Sequence, residues 1–173
     1  LYILSLQNVP EEKPKPSIWE IERKFLVAAV PPDLDRYPHE TIHQGYLAWT
    51  EDGTEVRVRR KGDRCFQAIK KGEGVRRLEV EIALSDAQFD VLWPLTQGRR
   101  VEKERYAIAL REHTLELDVY RGTLAGLVSV EVEFPSMAAS RVFQPPPWFG
   151  PEITGDPRFK NRNLAVRGVP ADG

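Results

Sequence analysis

Residues 20–27, "EIERKFLV", set Glu20, Glu22 and Lys24 on alternate positions, with Ile21 and Phe25 on the opposite parity. In a β-strand successive side chains point to opposite faces, so one face of this segment holds three full charges and nothing apolar. The same period-two pattern recurs, between turn signals, over about 18–27, 41–49, 54–61, 64–71, 76–84, 100–110, 113–121 and 127–134. It predicts a mainly β (α+β) chain of many antiparallel strands. "EDG" at 51–53, "KGD" at 61–63 and "KGEG" at 71–74 fall between neighbouring strands as hairpin turns. Ser85 is an N-cap candidate ahead of "DAQFDVLWPL", which predicts one helix, and "SMAASRVF" after Pro135 predicts a second, stopped by the prolines of "QPPPWFG".

Taken strand by strand, one face reads Glu20, Glu22, Lys24; Arg57, Arg59; Lys70; Arg77, Glu79, Glu81; Lys103, Arg105; Glu116, Asp118; and Glu131, Glu133. The other face carries Ile21, Phe25, Val56, Val58, Leu78, Val80, Ile82, Leu115, Leu117, Val119, Val130, Val132 and Phe134. An antiparallel sheet with one solvated face produces such alternation. Solvated strand faces, however, mix in Thr, Ser and Gln, whereas these are almost purely carboxylates and Lys or Arg, and adjacent like charges cost energy without a counterion. Closing the sheet with its charged face inward gives a barrel lined by carboxylates and cations. Carboxylates are hard oxygen donors for Mg²⁺ or Mn²⁺, and Arg and Lys grip phosphate oxygens, so a polyphosphate with divalent metal satisfies both sets.

At 173 residues the chain has the length of one domain. "PEEKPKPS" alternates prolines with charges and reads as an extended linker, so residues 1–17 are expected to be an N-terminal extension and 18–173 the domain. "LYILSLQNVP" lacks the basic start and long apolar stretch of a secretory signal, and the chain opens on Leu1 as a processed or truncated product would. No apolar run approaches a membrane span, and 25 basic against 26 acidic residues leave a formal charge of -1, which gives nonspecific nucleic-acid binding no support. Cys65 is the only cysteine, which rules out an internal disulfide and favours a reducing compartment, the cytoplasm by default.

Several other signals compete. "HETIH" at 39–43 matches the HExxH zinc pattern, but that pattern needs a helix, whereas Pro38, Thr41, Ile42 and Gly45 favour a strand. A strand would separate His39 and His43 by about 13 Å, too far to share one zinc. Gly72-x-Gly74 lacks phosphate-loop spacing and reads as a turn, and Arg99 and Arg100 are expected in solvent. Trp93 and Cys65 are expected to pack, His113 to have no catalytic task, and Trp148 with Phe149 to fasten the chain end to the barrel wall.

The Glu20-x-Glu22-x-Lys24 stretch also resembles the ExExK motif of the triphosphate tunnel metalloenzymes, or CYTH proteins. The resemblance runs from about Trp19 to Val166 through "HQGYL", "EVRVRRKG", "RLEVEI", "FDVLWPLTQGRRVEKERY", "LELDVYRG", "VSVEVEF", "PPPWFG" and "EITGDPRFKNRNLA", and is to the short, single-domain bacterial branch. It implies an eight-stranded antiparallel barrel open as a tunnel, a few outer helices, a C-terminal plug and a Mg²⁺ or Mn²⁺ cofactor. The implied activity is hydrolysis of a linear triphosphate, inorganic tripolyphosphate first. Nucleoside or thiamine triphosphate hydrolysis and cyclisation of ATP are implied alternatives, and a noncatalytic polyphosphate-binding module is a further one. By resemblance Glu20, Glu22, Asp118, Glu131 and Glu133 face the metals, and Glu79, Glu81 and Glu116 complete an acidic wall. Lys24, Arg57, Arg59, Lys70, Arg77, Lys103, Arg105 and Lys160 hold the substrate. Lys24, Tyr46, Arg57, Arg59, Lys103 and Arg105 form the catalytic group. Pro157 and Phe159 depart from relatives, which often carry Tyr at the latter. The implied partner is a small-molecule polyphosphate, with neither nucleic acid nor membrane, and the protein is expected to be a monomer or a homodimer.

Overall fold

The computed structural model describes residues 19–171, so the expected extension 1–17 lies outside the described residues. Among the described residues nine strands are present: β1 (Trp19–Val27), β2 (His39–Trp49), β3 (Glu55–Lys61), β4 (Arg64–Lys71), β5 (Arg76–Leu84), β6 (Arg100–Leu110), β7 (His113–Tyr120), β8 (Val128–Glu133) and β9 (Phe149–Glu152). Three helices accompany them: α1 (Asp86–Leu92), α2 (Met137–Val142) and α3 (Asn161–Arg167). The strands run in the order β5-β4-β3-β2-β6-β7-β8-β1, all antiparallel, and β1 also pairs with β5, so eight strands close into a barrel. β1 divides one edge between two partners: Trp19–Ile21 pair with β5, and Phe25 and Val27 pair with β9, with a register shift between them.

Alternation sends the charged parity of each strand inward, so the apolar parity faces out and the main core lies outside the barrel wall. Phe25, Ile108, Leu115, Leu117, Val130 and Val132 are covered there by Phe134, Phe143 and Phe149. Phe149, carried by β9, packs its ring 5.0 Å from that of Phe25 at a tilt of 54°, which is how "PPPWFG" fastens to the wall. On the far side α1 covers Val58 and Cys65 with Phe89, itself stacked on Trp93. A capping box starts α1: Ser85 Oγ accepts from the Gln88 amide and Gln88 Oε1 accepts from the Ser85 amide. Gly62 takes a φ of 57° in the two-residue turn between β3 and β4, a conformation that favours glycine.

The barrel is stopped at one end by its own C-terminal segment. Ile153, Phe159 and Leu164 pack against Val101, Tyr120, Leu124 and Leu127, so the departure at Phe159 supplies a buried apolar ring to this floor. β9 and α3 are elements that the alternation pattern did not predict. β9 has four residues, one of them Pro151, and α3 has one buried apolar residue, Leu164, too little for either periodicity to register. Arg99 and Arg100 are not solvated as expected. Both are half-buried: Arg100 stacks 4.2 Å from the Trp93 ring and donates to Trp93 O and Thr96 Oγ1, and Arg99 donates to Leu47 O and Leu95 O. The cause is the turn at Trp93–Thr96, whose carbonyls need donors.

That turn sits against Gly45 of β2, where an added Cβ would overlap the fully buried Thr96 side chain. Gly45→Ala is therefore expected to destabilise the fold by about 1–3 kcal/mol through overpacking. Urea denaturation checks it: a lowered midpoint at unchanged slope is the expected result.

Candidate active site: a charged tunnel

The inward faces enclose a cavity of about 1080 Å³, counting its open mouth. Glu20, Glu22 and Lys24 come from β1, Gln44 and Tyr46 from β2, Glu55, Arg57, Arg59 and Lys61 from β3, Lys70 from β4, and Arg77, Glu79 and Glu81 from β5. Lys103 and Arg105 of β6, Glu116 of β7 and Glu131 and Glu133 of β8 complete the wall, and Thr154, Asp156, Phe159, Lys160 and Asn161 close the end. The lining thus holds nine acidic and nine basic side chains, so it presents two signs of charge rather than one field.

The charges are paired between strands in two groups. In the first, Lys70 Nζ lies 2.7 Å from Glu20 and 3.1 Å from Glu79, Arg57 lies 3.0 Å from Glu79, Arg59 lies 3.0 Å from Glu81, and Arg77 contacts Glu22. In the second, Arg105 reaches Glu116, both oxygens of Asp118 (2.7 Å) and Glu131 (2.6 Å), Lys103 lies 2.5 Å from Asp118, and Lys24 lies 3.1 Å from Glu131. Burial alone would drive these groups neutral, but their partners outweigh it. The Glu131 carboxyl is held well below the usual range because Lys24 and Arg105 overcome its desolvation, and Lys24 stays charged because Tyr120, Glu131 and Asp118 overcome its own. Burial, with Glu55 nearby, pushes the Tyr46 phenol up, so it remains a hydrogen-bond donor, while Gln44 Nε2 donates to its oxygen at 2.8 Å. Glu20 differs: desolvation first, then the charges of Glu22 and Glu79, raises it from 4.5 to about 7 against the pull of Lys70.

The tunnel lining holds every metal-facing, substrate-holding, catalytic or acidic-wall residue implied by the resemblance except one. Asp118 has no exposure, and both its oxygens accept from Lys103 and Arg105 behind the lining. His39 and His43 lie on β2 as strand residues, consistent with a coincidental HExxH match. Gln44, Glu55, Lys61, Thr154, Asp156 and Asn161 were not anticipated. Glu55 and Lys61 share the parity of Arg57 and Arg59, which was the available signal. Asn161 receives a hydrogen bond from Tyr120 Oη (2.8 Å), a long-range contact that no local pattern encodes.

Does the lining suit a metal? Among the described residues no three carboxylate, imidazole or thiol groups converge closely enough to hold one, and Glu20, Glu22, Glu79, Glu81, Glu116 and Glu131 are each drawn to a cation of the wall. Yet Glu22 stands directly opposite Glu133 in the strand register, and Glu116 directly opposite Glu131, where Arg105 bridges the second pair. Like charges so placed are destabilising unless a cation sits between them. An all-oxygen donor set of this kind suits a hard divalent cation.

No family model matches the chain. An inorganic triphosphatase of Nitrosomonas europaea is 49% identical over 149 residues, covering 85% of this chain and 97% of the relative. A second, from Acetivibrio thermocellus, is 37% identical over 152 residues, covering 84% and 92%. A solved inorganic triphosphatase structure aligns with a TM-score of 0.66 at 45% identity, over 87% of this chain and 97% of that one. Identities of 49% and 37% over nearly the whole of each relative, together with the closed barrel seen here, show that the chain belongs to the inorganic triphosphatases of the triphosphate tunnel (CYTH) family.

Proposed function

We propose that this protein hydrolyses a linear triphosphate, inorganic tripolyphosphate first, to pyrophosphate and phosphate with Mg²⁺ or Mn²⁺ as cofactor. One observation carries the reading. The Nε atoms of Arg57, Arg59 and Arg77, on adjoining walls of the tunnel, are buried and make no hydrogen bond. A buried unsatisfied donor costs about 1–3 kcal/mol, and phosphate oxygens are the acceptors that guanidinium forks match. The relatives named inorganic triphosphatase support the same reaction. The lining supports an inorganic chain over a nucleoside, because among the described residues its apolar or aromatic side chains are Tyr46, Ile153 and Phe159 alone and all three are buried.

Glu20, Glu22, Glu131 and Glu133, with Glu116 beside them, would hold the metal. When bound, a divalent cation polarises phosphoryl oxygens and makes a coordinated water more acidic. Arg57, Arg59, Lys70 and Arg77 hold phosphate oxygens on one wall, and Lys24, Lys103 and Arg105 on the other, with Lys160 at the closed end. Asp118 acts through Lys103 and Arg105, fixing where their charges point. Water attacks a terminal phosphorus in line, the bond to the bridging oxygen breaks, and the cations stabilise the charge gathering on the departing pyrophosphate. Tyr46 Oη can donate a hydrogen bond to a phosphate oxygen. The same reading puts the enzyme in the cytoplasm, as a monomer or homodimer, with a polyphosphate as its small-molecule partner. Among the described residues no helix is long and apolar enough to cross a membrane.

Phosphate release is expected to be fastest from tripolyphosphate, slower from ATP and thiamine triphosphate, and abolished by EDTA; release from ATP alone would overturn the substrate assignment. Arg59→Ala should lower turnover about 100-fold, the scale of losing one preorganised donor, while circular dichroism shows an intact fold. Full turnover in that variant would remove Arg59 from the site. The metal-free protein should also lose stability as pH rises from 4.5 through about 7, because folded Glu20 keeps its proton to about 7 whereas the unfolded carboxyl releases it near 4.5. Denaturant midpoints in EDTA across this window test it, and Glu20→Gln should flatten that part of the profile.

A further inference from the structure

Glu55 opens β3 and is 6% exposed, lining the tunnel opposite Lys70 in the strand register. Its charge bears on both Tyr46 and Arg57. Those neighbouring cations are nonetheless committed elsewhere, Lys70 to Glu20 and Glu79 and Arg57 to Glu79. Among the described residues the cation within ion-pair distance of Glu55 is Arg162, in the first turn of α3, whose Nη1 lies 3.3 Å from Glu55 Oε1. The side chains are 14% and 8% exposed, and that Nη1 makes no hydrogen bond. A nearly buried ion pair without hydrogen bonds adds little net stability. Phe159 and Leu164 already fasten this segment by apolar burial. The pair is thus poorly suited as a fastener, and its effect is on the charge of the tunnel.

We propose that Arg162 is a positioning residue: by neutralising Glu55 it stops a fixed negative charge from repelling the anionic substrate and from drawing Arg57 and Lys70 off the phosphate oxygens. The inference rests on the triphosphate reading given above. It assigns Arg162 no contact with substrate, and predicts an effect on substrate affinity rather than on the chemical step.

The test is a double-substitution cycle on the full chain, read by steady-state kinetics with tripolyphosphate and Mg²⁺ and by calorimetric binding of tripolyphosphate in EDTA. Arg162→Ala should raise KM and the dissociation constant about 10-fold, the scale of one uncompensated charge at short range, with kcat within about 2-fold. Arg162→Lys, which keeps the charge, should retain most of the affinity. In a Glu55→Gln background the same Arg162→Ala change should alter affinity less than about 2-fold. Should Arg162→Ala fail to fold alone, the comparison between Glu55→Gln and the double variant decides. An affinity loss that persists undiminished in the Glu55→Gln background would overturn the proposal, as would unchanged affinity in Arg162→Ala. Calorimetry separates the two readings: an Arg162-dependent affinity in a protein that releases no phosphate would sink hydrolysis and keep the positioning role.

Discussion

A charged side chain taken out of water must meet its opposite, and this barrel places most of its inward charges where other strands of the wall supply one. Every pairing in the tunnel follows from that constraint. Arg57 meets Glu79 and Arg59 meets Glu81 across β4, and Arg105 gathers Glu116, Asp118 and Glu131 from β7 and β8. Because the interior is given to charge, the apolar burial that holds the fold lies outside the wall and in the C-terminal floor. The packing and the chemistry thus occupy opposite faces of the same strands.

This separation explains how the tunnel can be both stable and open to exchange. A metal-bound polyphosphate brings both signs of charge, so the carboxylates can turn to the cation and the guanidinium groups to phosphate without stranding either set. A bare anion would take the bases and leave Glu22 facing Glu133 and Glu116 facing Glu131 uncompensated. The equal numbers of acids and bases in the lining therefore favour a neutralised complex over a free anion.

Strand positions were legible almost to the residue, since a period of two with turn glycines is a local signal that tertiary packing reinforced. Which face turned inward was legible too, because Glu20, Glu22 and Lys24 have no apolar companion on their side. What escaped was whatever depends on contacts between distant segments. The four-residue β9 exists because the rear half of β1 has a free edge, and Arg99 and Arg100 are drawn out of solvent by the carbonyls of a turn. Asp118 shares the parity of its neighbours, yet two cations in front of it separate it from the cavity. Arg162 could be linked to Glu55 only once α3 was in place, more than a hundred residues along the chain.

The shared edge of β1 also bears on how the protein reaches its native state. β1 contributes Glu20, Glu22 and Lys24, yet Glu22 finds Arg77 55 residues later, and the Lys24 amide finds Thr154 Oγ1 130 residues later. Contacts so remote in the chain carry a large loop-closure entropy and form slowly. Synthesis must pass Thr154 before β1 can gain all its neighbours, so a truncated chain lacking that end cannot assemble the complete tunnel. Biosynthesis thus delays the complete tunnel until the segment that carries Thr154 has been made.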